Sequence, residues 1–409
     1  MKSKRKYKWI LALVGVIAVI AMGFIKLNPT ISIMGFNARD STTTVSISAI
    51  DFVPVDSNQK LTKQKTNLIV IENFHAMMLN NDRRLHIYLP PGYYENKENK
   101  FPVLYVHDGK SVFDISDWSK ESLNMHTTAD KLISEGKIQE IIIVGIDNIG
   151  ENRTSEYSHW DGIDMGKPVT GKGLLYEDFV INDVKPFIDK NFRTLADRDN
   201  TALMGASIGG FSTFNIGFRH SEVFSKLAML SPYFGWGDNK LYDKISQGIY
   251  KEKKPLKMWI DVGSKEDGFV NMAANVIFLL MNNGYEYFDE LVAYEAPDGE
   301  HSERFWAQRV EPILVYFYGN IGNPESVNVY MDNEVSLSDQ VIKHINSVVT
   351  YDSGFKMTEA LASYHVEKPE LLKIDNLGGA LFPLAEGVTQ ITFTSSTGLT
   401  TRENITVVK

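Results

Sequence analysis

Between residues 68 and about 319, short apolar runs rich in β-branched side chains alternate with longer stretches of helical periodicity. The runs 85–89, 103–106, 141–145, 202–204, 227–230, 258–262 and 290–294 predict strands. Residues 174–191, 211–219 and 271–283 predict helices, with Pro186 expected to kink the first. Strands alternating with helices imply an α/β fold, a mainly parallel sheet covered on both faces. The 85–89 run is polar at alternate positions and precedes Pro90-Pro91-Gly92, which predicts an antiparallel edge strand. After Gly319-Asn320 the texture changes. Residues 325–409 are rich in Val, Ile, Thr and Ser, with turn signals at Asp352-Ser353-Gly354, Gly378-Gly379 and Gly398. Strands are expected at 326–329, 348–351, 381–383, 390–395 and 403–408, spaced as in a small all-β sandwich. A chain ending near Asn320 is expected to keep turnover on small substrates.

The first 36 residues follow a different pattern. A basic stretch containing Lys2, Lys4, Arg5, Lys6 and Lys8 precedes an uncharged, mostly apolar run, residues 9–25. This is the layout of a secretory signal or an N-terminal membrane anchor, and the sequence leaves both open. Residues 37–66, rich in Ser, Thr, Asp and Asn, read as a linker. The remainder is expected outside the cytoplasm.

Composition narrows the chemistry. The 409 residues contain no cysteine, which removes disulfides, thiolate nucleophiles and zinc–thiolate sites. The net charge is −9 despite the basic N-terminus, which argues against a phosphate-backbone binder. No Gly-rich phosphate loop appears, and Asp298, Glu300, His301 and Glu303 fit no metal-ligand spacing, so neither cofactor nor metal is expected.

The strongest local signal is Gly205-Ala206-Ser207-Ile208-Gly209-Gly210, between a strand run and a helical run. A G-x-S-x-G sequence in that context is a nucleophile elbow, which lifts the serine hydroxyl clear of the sheet at a helix N-terminus. A serine needs a base, and in this architecture acid and histidine follow it in that order. Of His220, His301, His344 and His365, only His301 lies in a loop after the last sheet strand. The acid is expected after the 258–262 strand, where Glu266 and Asp267 are both available. The oxyanion hole is expected from the backbone N–H of Ile208 and of Gly109 or Lys110, in the loop that follows Tyr105-Val106-His107-Asp108. His107 precedes the serine and reads as structural. Trp236 and Trp306 are candidates for lining a substrate pocket.

Taken together, Leu89-Pro90-Pro91-Gly92-Tyr93, Tyr105-Val106-His107-Asp108-Gly109, Val144-Gly145-Ile146-Asp147-Asn148, the elbow, Leu230-Ser231-Pro232, Asp261-Val262-Gly263-Ser264-Lys265-Glu266 and Gly299-Glu300-His301-Ser302-Glu303, followed by Trp306, carry a resemblance. Over about residues 60–320 the chain resembles the esterase family of α/β-hydrolases, which includes feruloyl esterases, S-formylglutathione hydrolases, siderophore esterases and mycolyltransferases. The resemblance implies Ser207 as nucleophile and His301 as base. It favours Glu266 as the acid, because relatives commonly place it three residues after the loop glycine. Residues 325–409 are similar to bacterial Ig-like modules at Glu386-Gly387-Val388-Thr389.

The expected function is a serine esterase acting on a small-molecule or carbohydrate-linked ester, with cell-surface glycan contact by the C-terminal region. Two readings stay open: a surface binding module with a silent hydrolase fold, and an acyltransferase using the same acyl-enzyme.

Overall fold

Val103–His107, Ile142–Ile146 and Thr201–Ala206 are buried at every position, as strands covered on both faces must be. They are the centre of an eight-stranded sheet in a computed structural model that describes residues 67–116, 119–339, 343–375 and 379–409. Residues 1–66, with the expected signal or anchor and the linker, lie outside the described residues. Among the described residues no helix is long and apolar enough to cross a membrane.

The strands before and within the sheet are β1 (Leu68–Ala76), β2 (Asn81–Tyr88), β3 (Val103–His107) and β4 (Ile142–Ile146). A small hairpin, β5 (Gly162–Asp164) and β6 (Lys167–Val169), stands apart. The sheet continues with β7 (Thr201–Ala206), β8 (Lys226–Leu230), β9 (Lys257–Gly263) and β10 (Leu291–Ala296). The spatial order is β1-β2-β4-β3-β7-β8-β9-β10, parallel from β4 onward and antiparallel at β1 and β2. The 85–89 run is antiparallel as expected, but it is not the edge. β1 pairs outside it, from Leu68↔Tyr88 to Ala76↔Asn81.

The helices are α1 (Gly109–Phe113), α2 (Met125–Ser134), α3 (Arg153–Tyr157), α4 (Gly173–Asp178), α5 (Lys185–Asn191), α6 (Ile208–Arg219), α7 (Lys240–Ser246), α8 (Phe269–Asn282), α9 (Glu303–Ala307) and α10 (Val310–Tyr318). The stretch expected as one helix over 174–191 is three segments. A π-helical segment, Phe179–Val184, joins α4 to α5 just before Pro186, whose missing N–H cannot continue an α-helical ladder.

The far end of α6 is tied down by one carboxylate. Glu177 accepts from Arg219 Nε at 2.9 Å and His159 Nε2 at 3.0 Å, and His220 Nε2 lies 3.2 Å from it as an ion-pair partner. Burial pushes the Glu177 carboxyl up, but His159, His220 and Arg219 outweigh it and hold the group at about 2. A depressed carboxyl contributes stability that is complete above its ordinary value of 4.5 and is lost as pH falls toward 2. Urea unfolding of Glu177→Gln is therefore expected to show lower stability near neutrality and a shallower decline across that acid window. An unchanged acid limb would count against this role.

The C-terminal region is β-rich. β11 (Pro324–Tyr330), β13 (Asn346–Tyr351) and β14 (Lys356–Thr358) form one sheet. β12 (Glu334–Ser336), β19 (Thr400–Val408), β18 (Gly387–Thr394) and β15 (Ser363–Val366) form a second, and β16 (Leu372–Ile374) pairs with β17 (Leu381–Pro383). Val335, Ile345, Leu372, Leu381, Ile391, Ile405 and Val407 make a small core of their own. The expected independence of the preceding residues does not follow from the packing. Val348, Val349, Tyr351, Phe355 and Met357 belong to the same apolar core as Trp259, Val292 and Tyr294 of the large sheet.

Candidate active site

Four sheet strands end where the candidate residues gather. After β7 the chain turns into α6 within one residue, Ser207, at φ 59° and ψ −125°. That is a conformation favoured by glycine, and it is held by the surroundings. Ser207 N–H donates to Leu230 O at 2.9 Å, and Tyr233 N–H donates to Ser207 O at 3.0 Å. The turn also needs Gly205, because a Cβ there would meet Gly209 O at 2.5 Å and His107 Cδ2 at 2.7 Å. Ile208 is the first residue of α6, where backbone N–H groups have no partner within the helix.

The loop after β10 brings His301 to this serine. Ser207 Oγ lies 2.9 Å from His301 Nε2, and His301 Nδ1 lies 2.7 Å from Glu266 Oε2. A carboxylate only accepts, so Nδ1 donates to Glu266 and Nε2 is left to accept from the serine. Glu266, in the loop after β9, is 4% exposed, whereas its neighbour Asp267 is exposed and Glu266 alone of the two reaches the imidazole. The two loops are interlocked at Gly263, where a Cβ would collide with the Gly299 carbonyl.

The other Glu266 oxygen is fully engaged. Oε1 accepts from Gly263 N–H at 2.7 Å, Ser231 Oγ at 2.7 Å and Arg309 Nη2 at 3.0 Å. Burial pushes this carboxyl up, but the bonds from His301 and Ser231 and the Arg309 charge outweigh it and hold it below its ordinary value. Arg309 is 1% exposed and also donates to Asp261 Oδ1 at 2.7 Å. Trp306 Nε1 donates to Ser231 Oγ at 2.9 Å, and its ring stands edge-on to His301 at 5.0 Å. Arg309 is absent from the sequence reading, and Ser231 and Asp261 stand there only within family motifs without a role; an arginine just ahead of the apolar helix α10 and a lone aspartate inside an apolar strand were the available signals. Arg309→Met would leave two buried carboxylates without their shared cation, and a loss of about 3–5 kcal/mol is expected in urea unfolding.

The loop after β3 is fixed by a second cluster. Asp108 sits at φ 61° and ψ 46° immediately before Gly109 and Lys110, which open α1. Arg153 grips its carboxylate through Nε at 2.7 Å and Nη2 at 2.8 Å, and Asn148 Nδ2 donates to it at 2.7 Å. Tyr157 OH accepts from Asp108 N–H and donates back to Oδ1. Arg153 Nη2 also reaches Ala206 O at 3.4 Å, which links this loop to the elbow. His107 meets Tyr176 OH at 2.8 Å rather than Ser207, and burial lowers it to about 3. Trp236 is buried, with its N–H donated to Trp160 O at 2.9 Å.

The family model described as "Putative esterase" matches residues 76–317, more than half of the chain. The chain belongs to this esterase family. The bifunctional endo-1,4-beta-xylanase/feruloyl esterase of Xylanibacter ruminicola is 31% identical over 189 residues, 44% of this chain and 23% of that protein. The Iron(III) salmochelin esterase of Escherichia coli O6:H1 is 26% identical over 157 residues, 38% of this chain and 33% of that protein. The match to YbbA of Bacillus subtilis, an uncharacterized protein, is 26% identical and spans 45% of this chain and 69% of that one. The chain thus spans a third or less of the two named esterases. The esterase fold also matches solved structures. One is the BES protein from Bacillus cereus, at TM-score 0.52 and 22% identity, covering 62% of this chain and 96% of that one. Another is the enterobactin esterase FES from Shigella flexneri, at TM-score 0.51 and 17% identity, covering 62% and 59%.

Proposed function

We propose that this esterase is a serine hydrolase that acts on carboxylic esters outside the cytoplasm and carries the acyl group on Ser207. The observation that carries the reading is the hydrogen-bonded chain from Glu266 through His301 to Ser207, at 2.7 and 2.9 Å. Ser207 Oγ attacks the ester carbonyl and His301 Nε2 takes its proton, while Glu266 holds the imidazole in the required tautomer. The backbone N–H of Ile208 and those of the Gly109–Lys110 turn receive the oxyanion, a contribution worth about 10²–10³ in rate per donor. His301 returns the proton to the leaving alcohol, and water then releases the acid.

A fluorophosphonate probe and a short aryl ester test this directly. The probe is expected to label the peptide containing Ser207, with matching loss of ester hydrolysis. A folded chain that takes no label overturns the reading. The names of the relatives make feruloyl esters, salmochelin and enterobactin the first natural substrates to assay.

The basic and apolar pattern of residues 1–25 supports export or an N-terminal anchor. Two sheets around a small apolar core, with the Glu386-Gly387-Val388-Thr389 turn, support the reading of an Ig-like module, for which contact with cell-surface glycans is the proposed role.

A further inference from the structure

An oxyanion is held only where backbone N–H groups from two separate loops converge, and one guanidinium touches both loops here. Arg153 donates to Asp108 Oδ1 through Nε at 2.7 Å and to Asp108 Oδ2 through Nη2 at 2.8 Å, and the same Nη2 reaches Ala206 O at 3.4 Å. Asp108 immediately precedes the Gly109–Lys110 turn, and Ala206 immediately precedes Ser207 and Ile208. The turn cannot relax toward the sheet. Gly109 is pressed on β4, where a Cβ would meet Gly145 C at 2.7 Å and Asp147 N at 2.8 Å. Movement away from the sheet is what the Arg153 fork opposes. Asn148 Nδ2 and Tyr157 OH also bind this carboxylate, at Oδ1, whereas Arg153 takes both oxygens.

The Asp108 charge also stands close to the elbow. A Cβ on Gly209, in the first turn of α6, would lie 3.4 Å from Asp108 Oδ2. Left unpaired, that carboxylate would oppose the negative charge that develops on the ester oxygen. Burial pushes the Asp108 carboxyl up, but the Arg153 charge and hydrogen bonds, with the bond from Asn148, outweigh it and hold it below its ordinary value. Asp108 is therefore a charge beside the elbow, and Arg153 is its counter-charge.

We infer that Arg153 is a positioning residue for the oxyanion hole: its fork holds the Gly109–Lys110 turn against the elbow, so that both sets of N–H groups meet the ester oxygen, and its charge cancels that of Asp108 beside it. The inference rests on the serine esterase reading above and deepens it. A displacement of about 1 Å at such a site costs on the order of 10²-fold in rate.

The test uses the full chain, a 4-nitrophenyl ester that it hydrolyses, and a trifluoromethyl ketone carrying the same acyl group. Ser207 Oγ adds to the ketone carbon, His301 takes the serine proton, and the ketone oxygen becomes an oxyanion, so its affinity reads the hole without turnover. Turnover is counted per serine labelled to completion by a fluorophosphonate, which removes any unfolded fraction from the comparison. Arg153→Met is expected to lower kcat by about 10²-fold with KM little changed, and to weaken the ketone by the same factor as kcat/KM. Arg153→Lys keeps a charge but cannot fork across Asp108, and a loss of roughly tenfold or more is expected by both measures. This second variant carries the test if Arg153→Met does not fold. Wild-type turnover per labelled serine in either variant overturns the inference, and is what a merely structural role would give. So does a fall in turnover that leaves the affinity for the ketone unchanged. Failure of fluorophosphonate labelling in the wild type would instead strike the esterase reading itself.

Discussion

Glu266→Gln is expected to lower kcat on an aryl ester by about 10³–10⁴-fold, while Asp267→Asn leaves it near wild type. The reason lies in how Glu266 is held. Its Oε1 accepts from Gly263 N–H, Ser231 Oγ and Arg309 Nη2, so a glutamine must leave its carbonyl oxygen in that position. The amide nitrogen then faces His301 Nδ1, where Oε2 now lies at 2.7 Å. An NH₂ group donates, so Nδ1 becomes the acceptor and the ring proton moves to Nε2. The imidazole can then no longer take the Ser207 proton. The check is kcat with the aryl ester, alongside the rate of fluorophosphonate labelling. Both should fall together in Glu266→Gln. Full activity in that variant, or an equal loss in Asp267→Asn, would remove Glu266 from its assigned position.

Ending the chain at Gly319 is expected to abolish soluble, active protein. Val348, Val349, Tyr351, Phe355 and Met357 are each buried in the core they share with the large sheet. The Phe355 ring lies 6.1 Å from Trp259 and 5.8 Å from Tyr316, and Tyr351 stacks on Phe288 at 6.2 Å. At about 1.5–3 kcal/mol per buried large apolar side chain, their loss is comparable with the whole stability of a typical protein. Deletion would also uncover the outer edge of β10. Its backbone is now met by Thr358 Oγ1 on Glu295 N–H at 2.8 Å and by Asn346 Nδ2 on Glu295 O at 2.8 Å. Unpaired edge strands invite aggregation, and β10 leads directly into the His301 loop. Expression of residues 1–319, measured as soluble yield and ester hydrolysis, checks this. A milder form is Phe355→Ala in the full chain, for which a loss of about 3–5 kcal/mol is expected. A soluble 1–319 chain with full turnover would show that the outer sheet does not support the site.

The sequence by itself determined the alternation that builds the large sheet. β3, β4 and β7 are buried on both faces, so their apolar runs carry no competing pattern. It also determined where the serine stands, since Gly205, Gly209 and Gly210 are spaced for one tight turn between strand and helix. Local pattern was enough in both cases because the constraint is local. The choice between Glu266 and Asp267 was different. The two are adjacent, and only the fold buries one among Ser231, Gly263 and Arg309 while leaving the other exposed. Arg309 reaches Asp261 and Glu266 across 48 and 43 residues of chain, a distance at which periodicity says nothing. The same holds for the C-terminal sheet. Strands β11, β13, β17, β18 and β19 were legible from turn signals and β-branched runs, whereas the short β12, β14, β15 and β16 were not, and the packing of Phe355 on Trp259 depends on which faces meet, which is fixed only when the whole chain has collapsed.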